Sequence, residues 1–395
     1  METDDKSRKG QRATIKDVAR LANVSIATVS NVVNGTKPVR AQTRLAVEHA
    51  IQALDYRPQS MRRGPFEAAA DGKGLPRLIV VGYVSLDFIA TLPSLPTQSS
   101  RVTAESIEKM LGGPAANVAS MAAGLGPPFS LKVELVTQMG DDEDSAWAID
   151  ALAENGVDTA GAFRRAGERL SRCMVLVTQD GRHTIINELL SVPQHDLLFY
   201  LETEERPARR TCIHVEGFQL GPLAPFLPGL REHGFLLSTH GAGLSGVWRT
   251  PEGLHELQSL FNVVFLDAKA ASEATGLAGT ASFETVLSAV DESVQSAGQG
   301  RTIVTWGGEG AVLLRPGAPP LRQKAPEVKV ADTTGAGDAF AGIYLASWLR
   351  DGDEEAAVLR AVHGAALTVT AVGAQGRFVR ADDLPLVSGE PTAAP

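Results

Sequence analysis

From Leu78 onward the chain alternates short β-rich runs with helical stretches, and that alternation narrows the possible folds more than any other feature. LIVVGYV (78–84), VELVTQM (133–139), CMVLVTQ (173–179), VVFLDA (263–268) and TIVTWG (302–307) are apolar and rich in β-branched residues. Strands alternating with helices predict a mainly parallel sheet covered on both faces. CMVLVTQDGRHTII carries a hairpin signal, with Asp180-Gly181 at its turn. It fits a small β-lid projecting from the main sheet. No internal repeat is visible.

The N-terminal stretch follows another rule. Residues 14–54 read as three short helices, and residues 64–76 (GPFEAAADGKGLP) are small, polar and punctuated by Gly and Pro, as a linker should be. Charge divides at the same place. Residues 1–65 hold twelve Lys and Arg against six Asp and Glu, a net of +6 in a chain whose total is −9, so the remainder carries −15. A small basic head on an acidic body points to nucleic acid at one end only. A solvated basic tail is the alternative that charge alone leaves open. The only cysteines, Cys173 and Cys212, provide no disulfide framework and fit a reducing cytoplasm. No apolar run is long enough for a membrane span, and the polar N-terminus predicts no secretion signal.

Within the head, TIKDVARLANVSIATVSNVVNG follows capping rules. Thr14 caps a helix with Asp17 three residues on, and Ile15, Val18, Ala19 and Leu21 give it one apolar face. Asn23 supplies the turn. Ser25 caps a second helix with Val29, Val32 and Val33 inward, ending at Asn34-Gly35. A third, about Thr43 to Leu54, closes the core with Leu45, Val47, Ile51 and Leu54. This is a helix-turn-helix. Through Tyr56-Arg57-Pro58 the stretch closely resembles the headpiece of the lactose-repressor family over about residues 13–60. The resemblance implies an operator-DNA partner, with Thr14, Ser25, Thr28, Ser30 and Asn34 on phosphates and Ile26, Ala27 and Asn31 facing base edges, Ile15 close by. Many members have Arg where this chain has Asn31, and Asn prefers adenine where Arg prefers guanine. Gly64-Pro65 also interrupts the family's short hinge helix after Met61-Arg62-Arg63.

The body's strongest chemical motif is Asp332-Thr333-Thr334-Gly335-Ala336-Gly337-Asp338, followed by AFAGIYLASWL at helical spacing. Glycines at a helix N-terminus let an anion approach backbone N–H groups at the positive end of the dipole. Asp338, in the first turn, can reach a hydroxyl beside that anion. Here the chain resembles the ribokinase-like, phosphofructokinase-B type carbohydrate kinases, from about Leu78 to Arg377. The resemblance implies a three-layer αβα sandwich with a small β-lid, Asp338 as catalytic base, and Gly335, Ala336 and Gly337 as anion hole. Gly112, Gly113 and Asn117 of GGPAAN match the sugar-site signature, and Asp87, placed just after the first strand, matches a carboxylate that holds sugar hydroxyls. Thr305, Gly307 and Gly310 match the glycine-rich turn near the nucleotide, and Gly373 falls near the adenine side. The implied ligands are a sugar, ATP and Mg²⁺, with a monovalent cation also admitted; no metal ligands are assigned.

Two departures stand out. The family often carries Asn-x-x-Glu after a late strand, where this chain has Asp267 and Ala270, with Glu273 one turn on as a conceivable substitute. The segment LLSTHGAGLSGVW (236–248) lacks an acidic residue often found there. The expected organisation is a basic tail (1–12), a DNA-binding domain (13–63), a linker (64–76), a kinase domain (77–384) and a frayed tail (385–395). The expected protein is a cytoplasmic homodimer, a sugar kinase and sugar-responsive transcription regulator. A non-catalytic sugar sensor with a kinase-like ligand domain is the alternative.

Overall fold

The computed structural model describes residues 15–26, 28–29, 32, 40, 43–44, 46–47, 49–50, 54, 74–179, 181–188, 210–279 and 281–386. The chain divides into two compact units. In the head, a helix spans Ile15–Leu21 and Asn23 turns the chain with φ 52°. The Ser25 hydroxyl accepts from the Thr28 amide at 3.0 Å, the cap read from the sequence. Val18, Ala19, Val29, Val47 and Ala50 form a small core with Ala22, Val24, Val32 and Leu54 half-buried around it. Leu21, expected on the apolar face, is instead 53% exposed: the core takes Val18, Ala19 and Ala22, and at about 100° per residue Leu21 points off that stripe. Thr14, Ala27, Ser30, Asn31 and Asn34 lie outside the described residues, as do the side chain of Ile15, Asp180 of the hairpin turn, and most of the expected linker and terminal tails.

The larger unit is built on a ten-stranded sheet. Its path uses β1 (Arg77–Val81), β4 (Lys132–Met139), β5 (Val157–Asp158), β9 (Thr211–Glu216), β10 (Leu236–His240), β11 (Val263–Asp267), β12 (Arg301–Thr305), β13 (Ala311–Arg315) and β14 (Ala318–Gln323), with β6 (Ala162–Arg164) off that path. The order is β14-β13-β12-β11-β10-β9-β1-β4-β5, parallel from β12 to β5 and antiparallel at the β12-β13-β14 edge. The central strands are buried along nearly their whole length, as strands covered on both faces must be.

One face is covered by the helices Pro251–Leu260, Ala268–Ala274 and Phe283–Ala297, which share a core with β9, β10 and β11. Thr250, Asp267 and Ser282 cap these helices through their side chains, and Gly298 ends the last in a left-handed turn. The helices Pro114–Gly124, Ala336–Asp351 and Glu354–Thr368 pack against one another. Ala336–Asp351 is buried all round from Asp338 to Leu349, the environment of a helix held between neighbours and the sheet. The result is the expected three-layer α/β sandwich.

The lid is a separate four-stranded sheet, β3-β2-β7-β8, formed by β2 (Ser85–Leu92), β3 (Ser106–Gly112), β7 (Ser171–Thr178) and β8 (His183–Asn187). The hairpin read from the sequence is its β7-β8 edge. Asp87 therefore lies inside the second strand of the chain and not in a turn after the first. Its neighbours across the lid are Met110 and Cys173.

Candidate active site

The ends of β9 and β10, the start of β2 and the N-termini of two helices converge on a buried polar cluster centred on Asp338. Asp338 is 8% exposed in the first turn of the helix Ala336–Asp351. Asn117 Nδ2 donates to its Oδ2 at 2.8 Å, joining the two motifs read as separate signatures, 221 positions apart. Gln375 Nε2 in turn donates to Asn117 Oδ1 at 3.0 Å, which fixes the orientation of the amide. Burial pushes the Asp338 carboxyl up to about 7; the Asn117 bond opposes that shift and Asp87 adds to it. A carboxylate balanced near neutrality can both take and release a proton at working pH.

The glycines of the two signatures answer to packing. Gly113 (φ 96°) begins the helix Pro114–Gly124, and a Cβ there would approach Tyr83 O within 2.5 Å. At Gly112 a Cβ would fall onto the Asp87 carboxylate. Gly335 (φ 74°) is the N-cap of the Asp338 helix, and Ala374 occupies the space where its Cβ would go. No side chain caps that helix. Its N-terminus is thereby open to an external anion as far as side chains are concerned. The preceding loop is held by Asp332, 1% exposed, which accepts from the Thr334 amide at 2.9 Å, the Thr334 hydroxyl at 2.7 Å and the Gly373 amide at 2.8 Å.

Asp87 is 6% exposed; burial raises its carboxyl to about 6 against an opposing bond from the Ser85 hydroxyl at 2.5 Å. The lid meets the glycine loop through Thr333 Oγ1, which lies 3.2 Å from His183 Nδ1.

On the other side of Gly337 a groove of about 200 Å³ opens between the β12-β13 turn and the helix Glu354–Thr368. Thr305, Gly307 and Gly310 line it as expected, together with Gly308, Ala336, Gly337, Val330, Val362, Ala365 and Ala366. Cβ positions built on Gly307, Gly308 and Gly337 meet nothing within 4 Å, so a ligand can lie directly on this backbone. Gly373 is not among the lining residues. It sits against Met110 and Ile89 of the lid, and its amide donates to Asp332. Glu273 is also accounted for otherwise: it pairs with Arg249 at 3.2 Å. Asp267 caps its helix, accepting from the Ala270 amide at 2.6 Å. Among the described residues no cluster of three or more His, Cys, Asp or Glu is arranged to hold a metal ion. Mg²⁺ would therefore have to take most of its ligands from phosphate oxygens and water, as it commonly does.

Sequence reasoning missed Glu216, at the C-terminal end of β9. It is fully buried, its Oε1 accepts from the Tyr83 amide at 3.1 Å and from Gln219 at 3.3 Å, and its Oε2 makes no hydrogen bond of ordinary geometry among the described residues, although the Ala115 amide also favours the charged carboxylate. Burial is the main cause that lifts its carboxyl to about 8. An acid closing a central parallel strand was the available signal, since ligands gather at those strand ends. His240, ending β10, was also missed; its Nε2 lies 3.5 Å from Asp338 Oδ1.

The model for pfkB family carbohydrate kinases matches residues 75–380, and that for the lacI family of bacterial regulatory proteins matches residues 14–59. The chain is 28% identical over 306 residues to an ATP-dependent ribose-1-phosphate kinase of Halopiger xanaduensis, covering 76% of this chain and 94% of that protein. It is 24% identical over 360 residues to a ribokinase of Arabidopsis thaliana, covering 87% and 88%. Its head is 45% identical over 80 residues to the HTH-type transcriptional regulator GalR of Salmonella typhimurium, which is 20% of this chain and 22% of that one. Among solved structures, the A. thaliana ribokinase complexed with ribose and ATP superposes with a TM-score of 0.59 at 22% identity, over 78% of this chain and 97% of that chain. Ribokinase from Thermotoga maritima gives 0.60 at 20% identity, over 79% and 96%.

Proposed function

The chain belongs to the pfkB family of carbohydrate kinases and carries a lacI-type DNA-binding head, and on that premise we propose that it transfers a phosphoryl group from ATP to a sugar hydroxyl and that the same sugar controls its hold on an operator. The observation that carries this reading is the buried Asn117–Asp338 hydrogen bond at the foot of a helix without a side-chain cap. It supports reading Asp338 as a base beside an anion site, with a hydroxyl-binding cluster on one side and an open groove on the other.

In this reading Asp87, Asn117 and Glu216 bind the sugar hydroxyls, with Gly112 and Gly113 allowing close approach. Carboxylates and amides offer several acceptor sites each, which suits vicinal hydroxyls. Asp338 takes the proton of the attacking hydroxyl. The backbone of Gly335, Ala336 and Gly337 holds the transferring group in place, and Thr305, Gly307 and Gly310 position the nucleotide. ATP would lie in the groove as the phosphoryl donor, and Mg²⁺, held mainly by its phosphates and water, would supply charge neutralisation. Positioning and charge neutralisation are the main demands of such a transfer. The names of the related kinases make ribose and ribose 1-phosphate the first compounds to test. A monovalent cation rests on the resemblance alone and is tested by comparing turnover in K⁺ and Na⁺.

The head is read as the operator-binding part, with Ser25 and Thr28 on phosphates and Ile26, 45% exposed, toward base edges. Thr14, Ala27, Ser30, Asn31 and Asn34 complete that set by resemblance. A palindromic operator needs a dimer. The lid supports one: Ile107, Met174 and Ile186 project from a single face of its sheet and are at least half exposed. We place the protein in the cytoplasm, where DNA, ATP and its two unpaired cysteines are compatible; no helix among the described residues is long and apolar enough to cross a membrane. The deciding experiment is a panel of sugars with ATP, read by ADP release and by sugar binding. Turnover of one sugar supports the kinase. Binding without turnover on any sugar replaces it with a sensor.

A further inference from the structure

Behind Asp338, on the side away from the lid, lies a buried chain of polar groups that the proposed mechanism does not use. His240 closes β10 and His214 lies beside it on β9, both fully within the core at 4% and 0% exposure. His214 Nε2 and His240 Nδ1 are 2.8 Å apart. The two ring planes are parallel to within 7° with centroids 5.0 Å apart, a separation compatible with a 2.8 Å edge-to-edge N···N contact. His214 Nδ1 is 2.9 Å from Ser238 Oγ, and Ser238 Oγ is 3.3 Å from Cys212 Sγ. At the other end, His240 Nε2 has no hydrogen-bond partner of its own and faces Asp338 Oδ1 at 3.5 Å.

Only two proton arrangements satisfy such a chain. Each neutral imidazole has one donor and one acceptor nitrogen, so the tautomers must run in the same direction. In the first, Ser238 donates to His214, His214 to His240, and His240 Nε2–H to Asp338. In the second every donor is reversed, and His240 turns a bare Nε2 lone pair toward Asp338, which fits only while that carboxyl keeps its proton; once it is ionised, the arrangement sets lone pair against carboxylate. Two electron-rich acceptors facing each other without water in a buried site is the costly arrangement. Burial depresses both histidines, His240 to about 4 and His214 further, so neither is a cation at neutral pH.

We propose that His240 is a positioning residue for Asp338: held in the Nε2–H tautomer by His214 and Ser238, it donates to the carboxylate and keeps it ionised and oriented. The proposal rests on the reading of Asp338 as the base. The other groups facing Asp338 are Asn117 from the helix Pro114–Gly124, Asp87 from β2, Glu216 from β9 and the Tyr83 hydroxyl from the loop after β1. Of these, Asp87 opposes its ionisation, in addition to burial. A donor fixed in the sheet offsets both at the oxygen that Asn117 does not reach. The device uses neutral groups, so it adds no charge to the sugar pocket.

The test uses the full chain labelled with ¹⁵N-histidine. Long-range ¹H–¹⁵N spectra at pH 7 should place the proton of both His214 and His240 on Nε2, and Asp338→Asn should shift the His240 Nε2–H resonance. An Nδ1–H tautomer at His240, a charged ring, or no response to Asp338→Asn overturns the proposal whatever the kinase activity. The kinetic readout is the acid limb of kcat/KM against pH. Losing the donor in His240→Leu raises the carboxyl pKa, so the limb should move about one unit higher, a roughly tenfold loss near pH 6. His240→Gln keeps an N–H near the same place and should restore the limb. A limb that stays fixed in His240→Leu means the ring only packs. Should Asp338→Asn leave turnover unchanged, the base assignment fails separately, and the tautomer spectra still decide whether His240 donates to Asp338.

Discussion

The two sides of the glycine loop are built on opposite principles. Toward the lid, carboxylates and amides are buried with few partners: Asp87, Glu216 and Asp338 all stand above their ordinary acid range because water has been removed from them. Toward the β12-β13 turn, the groove is bare backbone and small apolar side chains. The first side holds unsatisfied polar capacity that only a matching polyhydroxyl ligand can fill, so it discriminates. Leaving a buried acceptor unpaired costs about 1–3 kcal/mol, and that is what a wrong sugar would do. The second side offers shape and open peptide groups, which suit a ligand that brings its own charge.

Four substitutions would break or sharpen this contrast. The largest effect is expected from Asp338→Asn, which keeps the Asn117 contact but removes the base. Turnover should fall roughly 10²- to 10⁴-fold while the Kd for sugar changes little; unchanged turnover would remove Asp338 from the chemistry. Next is Gly335→Ala, at the junction of the two sides. Its Cβ meets Ala374 in a backbone region that disfavours L residues. Displacing the loop by even a fraction of an ångström should cost on the order of 10²-fold in kcat, with the fold intact by circular dichroism.

Ala365→Leu belongs to the groove alone. It should raise the KM for ATP about tenfold, equivalent to about 1.4 kcal/mol, and leave sugar binding in the absence of nucleotide unaltered. A parallel loss of sugar affinity would mean that the two sides are not separate.

The fourth substitution, Glu216→Gln, is measured on stability and not on turnover. Its carboxyl is raised in the folded state from 4.5 to about 8. Between those values the unfolded chain has lost the proton and the folded one keeps it, so wild-type stability falls as pH rises through that window. The Gln variant does not pay this penalty. Its advantage in Tm should grow from pH 5 to pH 8 and level off above, by roughly 2–4 °C per kcal/mol, while sugar binding weakens. A pH-independent difference would show that Glu216 does not titrate as its burial implies.

Much of this protein follows from the order of residues alone. The β/α alternation, the helix-turn-helix capping at Ser25 and Thr28, the β7-β8 hairpin and the glycine-flanked Asp338 are local patterns. Their physical basis lies within a few positions of the chain: periodicity, cap hydrogen bonds, turn propensity. That is why the fold could be read. The lid was only half legible, since β2 and β3 hide in SLDFIATL and SIEKMLG, and Asp87, expected just after the first strand, lies within β2. Nothing local in the sequence marks the bond from the Gly373 amide to Asp332, 41 positions away.

What only the tertiary structure decided is which of these distant groups share a space, and what that space does to their protons. The Asn117–Asp338 bond, the buried carboxyl of Glu216 and the His214–His240 pair join groups separated by many residues. No local signal marks them, because each depends on strand order and on water being excluded. Sheet order sets the neighbours of β9 and β10, and burial between the sheet and the helix Ala336–Asp351 sets the charge each group can hold.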